Sequence, residues 1–300
     1  MNAPLKLSLE ELKKDFEQAE VVAVNQCSGN SRGFFKPRVG GGQLGHGAMG
    51  NARWKGVRLK DVLQKAGVQA GARQVVCNGL DTPPVPQTPD FIKALEMDHA
   101  LDGEVLLAWE MNGEPLPLLN GYPLRLVVPG YYGTYWVKHV NELTVVKDVF
   151  DGFFMATGYR IPANAGGCVE PGTTPASTIP INKFTIRSFI TSLADGATVT
   201  AGQATVVQGI AFDGGEGITE VTFSDDGGRT WRGAELGKDH GKYSFRPWSF
   251  AWTPPKKGAW ELRCRAAEPR GPDPADGAAV EPGWVPPQCG GDCEGLRGLS

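Results

Sequence analysis

From Phe184 to about Ala267 the sequence carries no helical period. Short stretches such as ATVVQGIAF, ITEVTFSDD, SFAWTP and AWELRCRA alternate instead, and clusters such as DGG and TPPKKG divide them. A period of two sends every second side chain to one face of a strand. Strands of this kind bury those faces by packing two sheets together, so the segment is expected to fold as a β-sandwich of immunoglobulin type. Within it, SDDGGRTWRGAEL reads as a hairpin with Gly227 and Gly228 at its tip and Trp231 returning to the core.

The first half reads differently. Ser8 and Glu11 make a capping box, Leu7 is placed to staple onto Leu12, and Leu9, Leu12 and Phe16 share a helix face. Val21 to Val24 are a buried strand that ends near Cys27. The glycine-rich stretch from Gly33 to Trp54 has little periodicity and is expected to be a long irregular loop, a kind of segment that is usually functional. VRLKDVLQKAG predicts a helix with Leu59, Val62, Leu63 and Ala66 inward and Gly67 as its stop. RQVVCNGLD predicts a strand, TPDFIKALEM a helix capped near Thr88 or Asp90, and EVLLAWEMNGEPL a strand turning at Asn112-Gly113. YPLRLVVPG and YWVKHVNELTVV predict two more strands. The stretch from Pro274 to Ser300 has no packing pattern and is expected to be loop or tail.

Composition narrows the function. With a net charge of −3 and no block of like charges, the chain lacks the basic face that nucleic acid requires. No run approaches the roughly 18 apolar residues of a membrane span. The opening MNAPLKLSLEELKKDF spaces its apolar residues, so it is not a signal peptide and the chain as written carries no export address. The six cysteines are scattered without a C-x-x-C pair, which is not a disulfide framework. Cys289 and Cys293 have no His or further Cys close by for a zinc site, and the four histidines show no metal-ligand spacing.

Cys27 stands out because it sits where a strand gives way to the loop SGNSR, the kind of place from which rigid scaffolds present reactive groups. Three readings are open from the residues: a small buried hydrophobe, a nucleophile whose base arrives by folding, or a thiolate ligand to a soft metal. Asn25, Asn30 and Arg32 would suit the third as supporting groups.

CSGNSR, GNARWKGVRLKDVL, NGLD, LAWEMNGEPLPLLNGYPLRLVVPGYYGTYWVKHV and SDDGGRTWRGAEL, in this order, resemble the sulfite oxidase family of molybdenum enzymes, and most of all its bacterial sulfite dehydrogenases. The resemblance runs from about residue 8 to residue 267. It implies an α+β chain: a mixed molybdopterin-binding oxidoreductase domain over residues 1–180, then an immunoglobulin-like dimerisation domain over 181–300. It implies a molybdenum–molybdopterin cofactor ligated by the Cys27 thiolate. Tyr159 matches a tyrosine beside the metal, and Arg32 an arginine of the substrate pocket. Asp81, Asn120, Arg125, Trp136, Val137 and Lys138 match cofactor contacts, with Arg125 and Lys138 on the phosphate and Asp81 on the pterin nitrogens. The reaction implied is oxidation of sulfite to sulfate, with electrons leaving to a separate cytochrome c. Homodimers, or a heterodimer with a cytochrome subunit, and a periplasmic location are implied too; without an export signal, the cytoplasm is the alternative.

The chain departs from the family pattern in three places. Asn120 stands where many members have a histidine; asparagine donates a hydrogen bond but carries no charge. The family domain begins some tens of residues earlier, with an Arg and a His that contact cofactor and substrate. GWVPPQCGGDCEGLRGLS replaces the closing strand. A chain truncated at both ends is therefore expected, and the rival readings are a sulfoxide or nitrate reductase type of molybdenum enzyme and a non-catalytic relic that binds or scaffolds.

Overall fold

The computed structural model describes residues 4–164, 167, 169, 170, 173–269, 296 and 297. Its contacts gather into two units, one of Met1–Asn30, Gly47–Ala163 and Ala176–Lys183, the other of Ser31–His46, Asn164–Pro175 and Phe184–Ser300.

In the first unit α1 (Leu9–Asp15) starts at the expected capping box, with both halves of the Ser8–Glu11 exchange made. The main sheet runs β1 (Gln18–Gln26), β2 (Met49–Arg58), β5 (Leu106–Met111), β6 (Glu114–Pro115), with β7 (Arg125–Val127) also on β5. A second sheet has β3 (Gln74–Gly79) between β4 (Lys93–Glu96) and β8 (Val140–Val146), and β9 (Arg160–Pro162) pairs with β10 (Thr178–Pro180). Every pairing is antiparallel. The helix α2 (Leu59–Ala66) buries the four predicted residues and ends at Gly67, whose φ of 70° suits glycine. The β5–β6 turn at Asn112-Gly113 has positive φ at both residues, as a tight hairpin needs.

Three expectations are corrected here. TPDFIKALEM was expected to be helical, because Lys, Ala, Leu, Glu and Met all favour helices. It forms the strand β4, paired residue for residue with β3 from Cys77↔Lys93 to Gln74↔Glu96, followed by a single turn α3 (Met97–Ala100). Tertiary pairing outweighs propensity in so short a segment. The loop expected to reach Trp54 stops at Ala48: β2 begins at Met49 because the alternating residues 49–54 complete a ladder with β1. The segment YWVK is not a strand either; Gly133–Tyr135 is a 3-10 turn, His139 has φ 53°, and β8 starts only at Val140.

The second unit holds two four-stranded antiparallel sheets. One is β11 (Arg187–Ile190), β12 (Thr205–Phe212), β16 (Arg246–Trp252), β15 (Glu235–Leu236); the other is β14 (Arg232–Gly233), β13 (Glu220–Ser224), β17 (Glu261–Ala267), β18 (Leu296–Arg297). Val207, Ala211, Trp248 and Trp252 of one meet Val221, Phe223, Leu262 and Cys264 of the other in one buried cluster, so the sheets pack face to face. Each large residue buried this way contributes roughly 2 kcal/mol. Trp231 and Trp260 are only half-buried. At the hairpin tip, the Asp226 carboxylate accepts from the backbone N–H groups of Arg229 and Thr230 and from the hydroxyls of Thr230 and Ser224, which hold it well below the usual carboxylate range. Apart from Leu296–Arg297, the expected tail from Pro274 to Ser300, with Cys289 and Cys293, lies outside the described residues, as does Cys168.

Candidate active site

Three cysteines of the described residues are free thiols, and exposure separates them. Cys77 and Cys264 are buried, and burial pushes the Cys77 thiol up to about 12, so it stays protonated. Cys27 is exposed. It follows the last residue of β1, is fixed by its N–H to the Ala48 carbonyl at 2.9 Å, and accepts from the Gly29 N–H at its sulfur at 3.4 Å. The buried Asn30 braces this corner: its amide donates to Gln26 Oε1 at 3.2 Å and its Oδ1 accepts from the Ala48 N–H at 3.0 Å.

The segment Gly133–Lys138 joins the remaining first-unit residues. At one end, a Cβ on Gly133 would lie 2.6 Å from Asn25 Oδ1, so the turn rests directly on the end of β1 that leads to Cys27. Tyr135 packs its ring under the Lys93 ammonium, 4.3 Å from the centroid. The Trp136 carbonyl accepts from Arg125 Nη2 at 3.3 Å, and Val137 is buried beneath, its carbonyl accepting from the Leu126 N–H. Lys138 is exposed and donates to the Leu119 carbonyl at 3.0 Å. Its own carbonyl and the Asp81 carboxylate both lie where a side chain on Gly79 would stand. Asp81 is exposed in the loop after β3.

Arg125 is 5% exposed, and burial alone brings its guanidinium down to about 10. Nη1 donates to the Asn120 carbonyl at 2.9 Å, and the plane lies near the rings of Trp54 and Trp136. Asn120 closes the 3-10 turn Leu118–Asn120. Tyr159 is 39% exposed, has φ 54°, and faces Phe154 and Phe91. A positive φ on a tyrosine is uncommon and points to a site where position matters. Arg32 belongs with the second unit, half-buried, and donates from Nη1 to the Gly42 carbonyl at 3.3 Å.

The residues fit a pterin-type group. Gln26 Nε2, Ser28 Oγ, Arg125 Nε and Thr134 Oγ1 are buried polar atoms without a partner. Gln26 and Ser28 flank Cys27 in sequence, while Thr134 lies in the Gly133–Lys138 segment and Arg125 is bonded to it; such atoms suit a ligand rich in donors and acceptors, because an unmet buried polar group costs ~1–3 kcal/mol. Among the described residues no three His, Cys, Asp or Glu converge on one point. Sequence reasoning missed Gln26, Ser28, Thr134 and Lys93. The string FIKALEM reads as a helix with a solvated lysine, so Lys93 gave no sign of its burial.

Comparison with known proteins agrees. Residues 1–154 match the oxidoreductase molybdopterin binding domain family, and residues 189–263 the bacterial Ig domain family. Mitochondrial sulfite oxidase of Rattus norvegicus is 33% identical over 297 residues, 94% of this chain and 52% of the relative. Sulfite oxidase of Arabidopsis thaliana is 33% identical over 271 residues, covering 86% and 67%. The crystal structure of the sulfane dehydrogenase SoxCD from Paracoccus pantotrophus superposes with a TM-score of 0.74 at 25% identity, over 89% of this chain and 64% of that one. The chain spans about half the length of the rat relative. With an exposed strand-end thiol, unmet polar atoms on both sides of it in sequence and a family match over half its length, this chain belongs to the sulfite oxidase family of oxidoreductases and binds a molybdopterin cofactor.

Proposed function

We propose that the chain oxidises sulfite to sulfate and passes the electrons to an external cytochrome c. The observation that carries the reading is the convergence on Gly133–Lys138, which links the Cys27 strand end, the Asp81 and Lys138 loop pair, Arg125 and the Tyr135–Lys93 contact within one unit. The bound cofactor supplies two-electron redox chemistry and transfer of an oxygen atom. The balance is sulfite plus water giving sulfate, two protons and two electrons.

The protein's residues divide the remaining work. Cys27 gives the metal its protein ligand, a thiolate that donates charge and tunes the potential. Lys138 and the unmet Nε of Arg125 face the cofactor phosphate, the Asp81 carboxylate accepts from pterin N–H groups, and Asn120, Trp136 and Val137 shape the cradle. Arg32, five residues beyond Cys27, offers a guanidinium fork to two oxygens of the sulfite anion. The Tyr159 phenol holds or donates a proton at the oxygen being transferred. We assign this chemistry to residues 1–180 and dimerisation to 181–300, with a periplasmic site of action. No helix of the described residues is long and apolar enough to cross a membrane.

The test is metal analysis of protein made in a host that produces the cofactor, followed by sulfite-dependent reduction of cytochrome c. One molybdenum per chain with turnover is expected. Protein devoid of molybdenum would be the non-catalytic relic; loaded protein inert to sulfite would sink the substrate. The likeness to a sulfane dehydrogenase favours one second reading, a sulfane donor in place of sulfite, which the same assay decides.

A further inference from the structure

Among the described residues, Lys93 is the most buried charged side chain of the first unit, and the proposed chemistry does not use it. It opens β4 opposite Cys77, its side chain is 1% exposed, and no ion pair reaches it among the described residues. An ammonium buried without a carboxylate destabilises a fold, so a position that keeps one has another reason for it. Its Nζ donates to the Phe154 carbonyl at 2.7 Å, 61 residues away in the chain. The same nitrogen stands 4.3 Å from the centre of the Tyr135 ring and 5.9 Å from that of Tyr159.

The target of that bond explains its use. The single turn α4 (Phe153–Ala156) closes on the Phe153 carbonyl, which accepts from the N–H groups of Thr157 and Gly158. The next two carbonyls point out of the helix end and each takes a cation. Phe154 O takes Lys93, and Met155 O takes Arg160 Nη1 at 2.6 Å. Cations are favoured at a helix C-terminus for this reason. Arg160 is fixed in turn by Thr178, whose hydroxyl accepts from Nε at 2.8 Å and whose carbonyl accepts from Nη2. Between the two anchors lies Tyr159, in a left-handed backbone, its carbonyl accepting from the Ile181 N–H at 2.8 Å.

We infer that Lys93 is a positioning residue that clamps the end of α4 and thereby holds Tyr159 where it can act, and that the clamp weakens when the lysine loses its charge. The inference rests on the reading of Tyr159 as the phenol beside the transferred oxygen. The groups facing the ammonium are Tyr135, Tyr159 and Arg160, with Tyr131 and Glu96 next to Tyr135. Burial first, and the Arg160 charge second, lower Lys93 to about 8. The buried Tyr135 phenol is pushed up and stays neutral through this range, so it offers a ring face rather than a counter-charge. Above pH 8 the neutral amine gives the Phe154 carbonyl a weaker bond and the two rings no cation.

Four variants and one physical readout test this. Lys93→Met is expected to lower kcat about tenfold with KM little changed, and to erase an alkaline fall in rate centred near pH 8. Lys93→Arg, which keeps the charge, restores most of the rate and runs level past that pH. Lys93→Met combined with Tyr159→Phe is no slower than Tyr159→Phe alone. Independently of turnover, amide hydrogen exchange over residues 153–159, corrected for intrinsic rate, speeds up in Lys93→Met at pH 7. In the unmodified protein the same speeding comes only above pH 8. Unchanged exchange, or an alkaline limb that survives in Lys93→Met, overturns the clamp. A Tyr159→Phe variant with undiminished kcat overturns the role of Tyr159 instead, and the exchange result still decides whether the clamp exists.

Discussion

Each unit holds a base against an arginine, and the two arrangements are opposites. In the first unit Lys93 lies near Arg160, lowered to about 8 and therefore still charged at neutral pH, with a carbonyl and two aromatic rings for company. In the second unit His46 lies near Arg187, lowered by burial and by that arginine's charge. Arg187 Nη2 donates to Ser31 Oγ at 3.0 Å, and that hydroxyl shares a hydrogen bond of 2.7 Å with His46 Nδ1. The imidazole is stacked on Phe34 and tilted against Phe189, in surroundings that favour its neutral form. The first unit keeps a cation inside itself at a cost in stability, as sites do; in the second, burial disfavours the charged form of both His46 and Asp213, the most buried acid among its described residues.

The sharpest way to break this contrast is to remove the thiol. Cys27→Ser should cut sulfite-dependent turnover by at least about a hundredfold. Because the side chain is exposed, the unfolding free energy should stay within ~0.5 kcal/mol of its starting value. The complementary change is Phe223→Ala, at a residue 0% exposed and packed on Phe250 and Trp252. It should cost about 3–5 kcal/mol in denaturant unfolding, and molybdenum content of the surviving folded protein should not fall. Were Cys27→Ser to keep its rate, or Phe223→Ala to unfold without loss, the division between chemistry and scaffold would be wrong.

How much of this could be read in the residues depended on which force shaped each element. The sandwich strands were legible because alternation there is imposed by burial on one face, as Val207 at 0% and Val206 at 58% exposure show. Cys27 was legible as a strand end because Val21–Val24 is a long apolar run. The segment YWVK misled because its apolar residues mimic a strand. In the structure the 3-10 turn and the left-handed His139 send successive groups toward different neighbours, which a strand would not allow. Lys93 was hidden for the opposite reason. A lysine in a helix-favouring string looks solvated, and only pairing with β3 turns it inward. The unmet atoms of Gln26 and Thr134 carried no sequence signal at all, since both types are ordinary near turns.

A smaller effect separates the two bases by stability rather than rate. Lys93 has a folded value of about 8 against an unfolded one of roughly 10.4, so between these values the unfolded chain binds more protons. Stability should therefore rise as the pH climbs from 8 toward 10, in the range where the clamp argument has activity falling. Urea midpoints measured across that range should climb in the unmodified protein relative to Lys93→Met. Parallel curves would show that the lysine does not sense its burial.

The smallest expected effect belongs to His46. Its folded value lies below the ordinary 6.5, so its stabilising contribution is complete above that pH and is lost as the pH falls and the ring must charge beside Arg187. Protonation would also oblige Nδ1 to donate toward a serine oxygen that already accepts from Arg187. Urea midpoints of the unmodified protein should drop between pH 7 and pH 5 by more than those of His46→Phe, which keeps the stack on Phe34 without a titrating atom. Equal drops would mean that the imidazole is already free to charge in the folded state, and the contrast between the two bases would then rest on Lys93 alone.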